Sequence, residues 1–325
     1  MAYYSGVANN LADLLTALTT NLVTEGWSNP ATGIYSKSGV FVKLIAVSSR
    51  IEILCGTGNS GTNLTGTPPV DGVSPYTIYD GTMSFAPVSS AFTYPLNYHL
   101  HINDAPDEVY FFANDGDRWT WMCFGKSAVS GLTGSGNWYG ATCPWKANYT
   151  DAYSYPNASE TPSYSNSLFF GDHVGSGTFS NGNPTYNVSI NHGLDGNTWS
   201  KSGDKVGDEV NTNPSKEWVD TPSSLLTIAP IYKLMQAQPN TWNGEAILIR
   251  IQSYIRRGSG KFSLVSNLEH CRYIRNTNYN SGDTITLGAD VWHVYPMVRK
   301  NSATPTPGGA SPNQHSGTWA IAVRE

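Results

Sequence analysis

Leu268-Glu-His-Cys-Arg-Tyr-Ile-Arg-Asn-Thr-Asn-Tyr-Asn-Ser-Gly-Asp-Thr-Ile-Thr-Leu-Gly-Ala-Asp-Val-Trp-His-Val-Tyr-Pro-Met-Val-Arg-Lys300 decides the fold class. Its aromatic and β-branched residues come in short runs. Asn, Ser, Gly and Asp fall between the runs, where short strands must reverse. Read together with the closing His315-Ser-Gly-Thr-Trp-Ala-Ile-Ala-Val-Arg324, the stretch predicts a β-rich closing module. It is dense in aromatics and arginines, yet it holds no spacing that a catalytic reaction requires.

Working outward, residues 245–254, 261–268, 273–276, 284–287, 292–298 and 318–323 read as strands, and 225–235 as a mixed apolar segment. The linker Asn301-Ser-Ala-Thr-Pro-Thr-Pro-Gly-Gly-Ala-Ser-Pro312 cannot build a core of its own. Residues 301–317 are therefore expected to form an exposed arm or loop that reaches a neighbouring subunit, with the strand 318–323 docking beyond it, either across subunits or in the same chain. At the other end, Leu11, Leu14, Leu15, Leu18 and Leu22 mark one face of a helix, with Ser5 or Asn9 as cap candidates and Gly26 as the stop. Beyond it the period changes to two. Residues 34–36, 40–47 and 50–55 predict one meander, and 96–102, 108–113 and 118–125 are expected to extend the same sheet.

Residues 56–90 read as a Gly, Thr, Ser and Pro-rich loop. The expected fold is α+β, a predominantly antiparallel sheet or sandwich with one N-terminal amphipathic helix and long loop insertions. It divides into 1–125 (helix plus sheet), 126–224 (a loop-rich Gly/Ser/Asn/Tyr insertion) and 225–325 (a β-rich module carrying the 301–317 arm).

Composition narrows the function. Charged residues make up 13% of the 325, about half the usual share, while aromatics reach 12%. A surface poor in Lys and Glu but supplied with Tyr, Trp and Arg suits subunit contacts, so a homo-oligomer is expected. The net charge of -5 gives no global basic field for nucleic acid. There is no basic leader with an apolar run and no apolar stretch near the ~20 residues of a membrane helix, so synthesis in the cytoplasm and no membrane partner are expected. The four cysteines, Cys55, Cys123, Cys143 and Cys271, are widely spaced and predicted to be buried free thiols.

Chemistry-bearing residues read mostly as structural. His99 and His101 share one strand face and could hold a metal, but a third ligand is not evident nearby. Asp104, Asp107, Asp115 and Asp117 sit in turns, where aspartates cap backbone N–H groups. Glu269-His270-Cys271 suggests a thiol nucleophile, but consecutive strand residues face opposite ways. Gly56-Thr-Gly-Asn-Ser-Gly61 lacks the helix a phosphate loop needs, and Asp151 with Glu160 lacks the spacing of a glycosidase pair. No enzyme, metal or cofactor is expected.

Candidate recognition residues are Trp138, Tyr139, Tyr149, Tyr153 and Tyr155, with Trp119, Trp121 and Trp145 nearby; Trp119 and Trp121 share one strand face. The arginines of the last quarter, Arg250, Arg256, Arg257, Arg272, Arg275 and Arg299, read as interface or intra-fold clamps, and Trp319 needs burial somewhere.

The stretch Leu268 to Lys300 resembles a group of virion structural proteins from tailed bacteriophages. Tyr3-Tyr-Ser-Gly6, Gly136-Asn-Trp-Tyr-Gly-Ala-Thr142, His192-Gly-Leu-Asp195 and Pro239-Asn-Thr-Trp-Asn-Gly-Glu-Ala-Ile-Leu-Ile249 share the likeness, which covers both ends of the chain. The resemblance implies a virion component of the neck or collar, tail or baseplate, touching neighbouring tail proteins. Two other readings stand beside it. One is a carbohydrate- or receptor-binding module at a tail tip or fibre, bound to a host surface glycan; the other is a glycan-cleaving enzyme.

Overall fold

The computed structural model describes residues 1–47, 50–68, 83–85, 94–116, 119–141, 188–196, 198–201, 225–226, 248–257, 261–275, 279–296 and 319–325. The chain begins with strand β1 (Ala2–Ala8) and helix α1 (Leu11–Thr24). The helix cap is Asn10, one residue past the expected Asn9: its side-chain oxygen accepts from the Asp13 N–H at 2.9 Å. At the far end the Trp27 N–H bonds back to the Leu22 carbonyl and the Gly26 N–H to Val23, a Schellman closure. It requires Gly26 at φ 83°, where a side chain would be strained.

Strands β2 (Ser28–Ala31), β3 (Ile34–Lys37), β4 (Val40–Val47) and β5 (Arg50–Gly56) follow. A small hairpin, β6 (Gly58–Ser60) with β7 (Asn63–Thr65), precedes β8 (Met83–Phe85), which pairs with β5 to complete a five-stranded sheet. Residues 56–90 thus carry strands where only a loop was expected.

Next come β9 (Leu96–Asn103), β10 (Glu108–Asn114), β11 (Trp119–Lys126), β12 (Asn137–Ala141), β13 (Val188–Asn191) and β14 (Trp199–Lys201). They do not extend the first sheet, as the sequence reading expected. With β1 on the far side of β9 they form a separate seven-stranded sheet, β1-β9-β10-β11-β12-β13-β14. Three of its strands come from residues 126–224.

The remaining strands, β15 (Leu225–Leu226), β16 (Ile249–Arg257), β17 (Lys261–Arg275), β18 (Thr284–Leu287), β19 (Asp290–Pro296) and β20 (Trp319–Arg324), make a six-stranded sheet of order β15-β16-β17-β20-β19-β18. The closing strand docks within its own chain, between β17 and β19. The expected arm, 301–317, lies outside the described residues.

The seven-stranded sheet is the middle layer, and strand alternation shows why. Tyr110, Phe112, Trp119, Trp121 and Cys123 join Ile251, Val265, Tyr273, Tyr295 and Ile321 of the six-stranded sheet in one core. Their neighbours Val109, Phe111, Ala113, Met122 and Phe124 turn the other way, into a core shared with α1 and the five-stranded sheet. Strand β10 is therefore buried at every position, as expected of a strand covered on both faces. Close layering leaves no room at Gly125, where a Cβ would sit 2.4 Å from the Asp107 carbonyl and 3.1 Å from the Trp138 ring.

Leu14, Leu18 and Leu22 are fully buried in the α1 core, and Leu11 and Leu15 half-buried at its rim. Leu18→Ala is expected to cost about 2–5 kcal/mol in denaturant unfolding, and Leu15→Ala clearly less. Equal small losses at both positions would contradict this packing.

Candidate functional site

Ionisable side chains in the middle layer must find partners inside the protein, because burying an unpaired charge or polar group is costly. Two groupings at the contact of the seven- and six-stranded sheets result.

The first is built around Glu108, which has no exposed surface. Its two oxygens accept from the Glu269 and His270 backbone N–H groups, both at 3.0 Å, and from the Tyr110 hydroxyl at 2.8 Å. His270 Nδ1 lies 3.0 Å from the same carboxylate. The N–H groups are available because β17 bulges here. Arg250 pairs with Arg272 but Gln252 pairs with Asn267, so three extra residues sit on β17 between the paired positions. The sequence reading split this region into strands 261–268 and 273–276; it is one strand interrupted by that bulge. On the carbonyl side, Arg272 Nη1 donates to the Leu268 and Cys271 carbonyls at 2.7 Å, and its guanidinium lies 5.2 Å from the Trp292 ring centroid. A carboxylate thus holds the donors of the bulge, and a guanidinium holds its acceptors.

The chemistry of this grouping is structural. Cys271 lies in the buried core, and burial together with the Glu108 charge pushes its thiol pKa well up, so it remains a thiol. Burial does the same to Cys123, and burial pushes Cys55 up to about 12. Cys143 lies outside the described residues.

The second grouping joins both chain ends. Tyr3 on β1 hydrogen-bonds His99 Nδ1 at 2.8 Å, and its ring lies 4.8 Å from His101 and 4.3 Å from His293 on β19. His101 Nε2 is 2.8 Å from the Tyr295 hydroxyl, and His293 Nε2 is 2.8 Å from Glu325. Phe112 and Trp119 flank the rings. Burial, helped by His293, lowers His99 to about 4 and His101 well below its ordinary value; burial also drives Tyr295 well up. His99 and His101 do share a strand face as the sequence indicated, but it is turned toward aromatic rings. Among the described residues no group of three or more His, Cys, Asp or Glu is arranged to hold a metal ion.

Other expected site residues are dispersed. Trp138 and Tyr139 correct the recognition reading: both are fully buried, Trp138 in the core facing the six-stranded sheet and Tyr139 in the α1 core, so neither offers a surface to a partner. Tyr149, Tyr153, Tyr155, Trp145, Asp151, Glu160 and Arg299 lie outside the described residues. Arg256 and Arg257 end β16, and Arg275 of β17 is paired with Trp319 of β20. Arg272 acts as an intra-fold clamp. Asp104 and Asp107 serve Lys37, whose Nζ lies 2.5 Å and 3.4 Å from their carboxylates and donates to the Glu25 carbonyl at 2.9 Å. The Lys37 hydrogen bond holds Asp104 below the usual carboxylate range. In the His192-Gly-Leu-Asp195 motif, His192 bonds Ser200 Oγ at 2.9 Å and accepts from the Leu194 N–H at 3.0 Å; burial lowers it to about 4.

Glu108→Gln leaves one N–H or the imidazole facing a donor instead of an acceptor. The expected loss is about 1–3 kcal/mol in equilibrium unfolding, the cost of leaving a buried hydrogen-bonding group without its partner. A loss below about 1 kcal/mol would show that the carboxylate does not hold the sheets together. No protein-family model matches this chain, and no curated protein matches it either.

Proposed function

We propose that this protein is a structural component of a tailed-phage virion, in the neck, collar or tail, that acts by symmetric self-assembly and contact with adjacent tail proteins. The motifs at both chain ends support the phage reading. The assembly reading rests on one observation: large exposed apolar side chains sit on or beside sheet edges. Met1 and Val7, 56% and 57% exposed, lie beside and on β1, the terminal strand of the seven-stranded sheet. Leu287, 51% exposed, lies on β18, the terminal strand of the six-stranded sheet. An edge strand presents one row of N–H and C=O groups outside its own ladder, and an apolar residue on it favours pairing with another chain. The described sheets stack as a sandwich around their shared cores in this reading, and no covalent chemistry is involved.

A carbohydrate-binding role is the second reading. What favours it is a connected polar row on the face of β16 and β17 opposite the main core. There Tyr254 donates to Gln252 at 2.8 Å, Gln252 to Asn267 at 3.3 Å, and Asn267 to Glu269, with Arg250 4.0 Å from Glu269. Amide, phenol and carboxylate groups held in a row suit the hydroxyls of a saccharide.

Mass measurement by native mass spectrometry tests the first reading. The wild type is expected to be oligomeric at micromolar concentration, and Val7→Lys or Leu287→Lys to weaken assembly at least about tenfold without loss of folding, as a charge on an edge strand does. A wild type that stays monomeric at all accessible concentrations defeats self-assembly. Retention on host polysaccharide that disappears with Gln252→Ala plus Asn267→Ala would favour the second reading instead.

A further inference from the structure

We propose that Tyr3, His99, His101, His293 and Tyr295 form an acid-sensitive latch that holds β1 and β9 against β19 and opens reversibly when its imidazoles take up protons. The inference does not depend on the virion reading.

The geometry carries it. Three imidazoles from two sheets surround one tyrosine ring, with centroid separations of 6.1, 4.8 and 4.3 Å from Tyr3, and His101 is 5.3 Å from His293. Such spacing suits neutral rings. With all three protonated, like charges would crowd a space whose other walls are Phe112, Trp119 and Tyr295.

The charged groups around the cluster offer little relief. β1 brings the terminal ammonium, which acts on Asp104, and Tyr4, bound to Glu25. At the end of β9, Asp104 is held by Lys37. Strands β10 and β11 bring Phe112 and Trp119, both uncharged. From β19, Asp290 faces Arg324 at 3.4 Å, and from the C-terminus Glu325 faces His293 at 2.8 Å. Among the described residues, Glu325 is the one carboxylate touching an imidazole of the cluster. The Arg324 backbone favours a protonated His101.

Burial keeps His99 neutral down to about 4 and pushes His101 well below its ordinary value, whereas a solvated imidazole protonates near ~6.5. The closed form therefore binds fewer protons than the open form. Its stability is fully present above ~6.5 and falls as the pH drops toward 4. Opening is local because β1 is a terminal strand laddered, among the described residues, only to β9, while β10 and β11 are covered on both faces.

Hydrogen exchange followed by mass spectrometry, corrected for the intrinsic pH dependence of exchange, tests the latch on the full chain. Between pH 7 and pH 5, peptides covering Ala2–Ala8 are expected to lose protection at least about tenfold more than peptides covering Leu11–Thr24 and Glu108–Asn114, and to regain it on return to pH 7. His99→Gln and His101→Gln each remove a proton acceptor, so the opening midpoint moves down by about half a pH unit or more. If His101→Gln does not fold, the shift of His99→Gln decides alone. The proposal is overturned if all folded variants share the wild-type midpoint, if β1 and β10 lose protection together at one pH, or if β1 stays protected at pH 5.

Discussion

A carboxylate with no exposed surface, Glu108, sets the relation between the two larger sheets. It lies on a strand buried at every position, where ionisation is tolerated only if the oxygens are saturated by donors. The Tyr110 hydroxyl comes from the same strand, and the other donors come from β17, two of them backbone N–H groups. A regular strand would spend those N–H groups on its neighbour. The bulge between Asn267 and Arg272 diverts them, so the distortion of β17 and the charge on β10 explain each other. Arg272 completes the arrangement by capping the carbonyls that the same bulge releases.

Register follows from this. Strand β20 pairs with β17 only from Cys271 onward, on the far side of the bulge, and β16 changes register across it. Shifting β17 by one residue would offer Glu108 a carbonyl or a side chain in place of two N–H groups. The clasp therefore fixes which face of the closing module meets the aromatic side of the middle sheet: Ile321 and Val323 turn toward it, while Ala320 and Ala322 turn to a smaller core with Ile274, Trp292 and Val294.

Much of the local structure was legible in the sequence. The period of the leucines places α1, and alternation with turn residues places β3, β4, β5, β9, β10 and β11 within a residue or two, since these signals are local. Sheet membership was not legible. The runs at 40–47 and 109–113 are both apolar, and nothing in either tells one sheet from two; that is decided by which faces α1 and the six-stranded sheet cover. Strand β1 was missed because Ala2–Ala8 has no sustained alternation: its first three residues are all half-buried, and only the last is buried. The site was least legible. Tyr3, His99 and His293 are far apart in the chain, and a polar residue paired across two sheets leaves no periodic mark. Trp138 and Tyr139 suggested a surface only because their neighbours in sequence are polar.

The two chain ends enter the fold very differently, and their meeting has a consequence for assembly of the chain itself. Strand β1 is added to an edge, whereas β20 is inserted between β17 and β19, so the six-stranded sheet is incomplete until the final residues arrive. Before then Val294, Trp292 and the edge of β17 lack the partner that buries them. Ile321 and Val323 complete the core from the closing strand, and Glu325 just beyond it reaches His293 while Tyr3 reaches His99 and lies against His293. The histidine cluster therefore forms only when β1 and the residue that follows β20 are both in place. A chain that lacks its last strand would expose the aromatic side of the middle sheet and a free β17 edge, the features that lead exposed strands to pair with other chains.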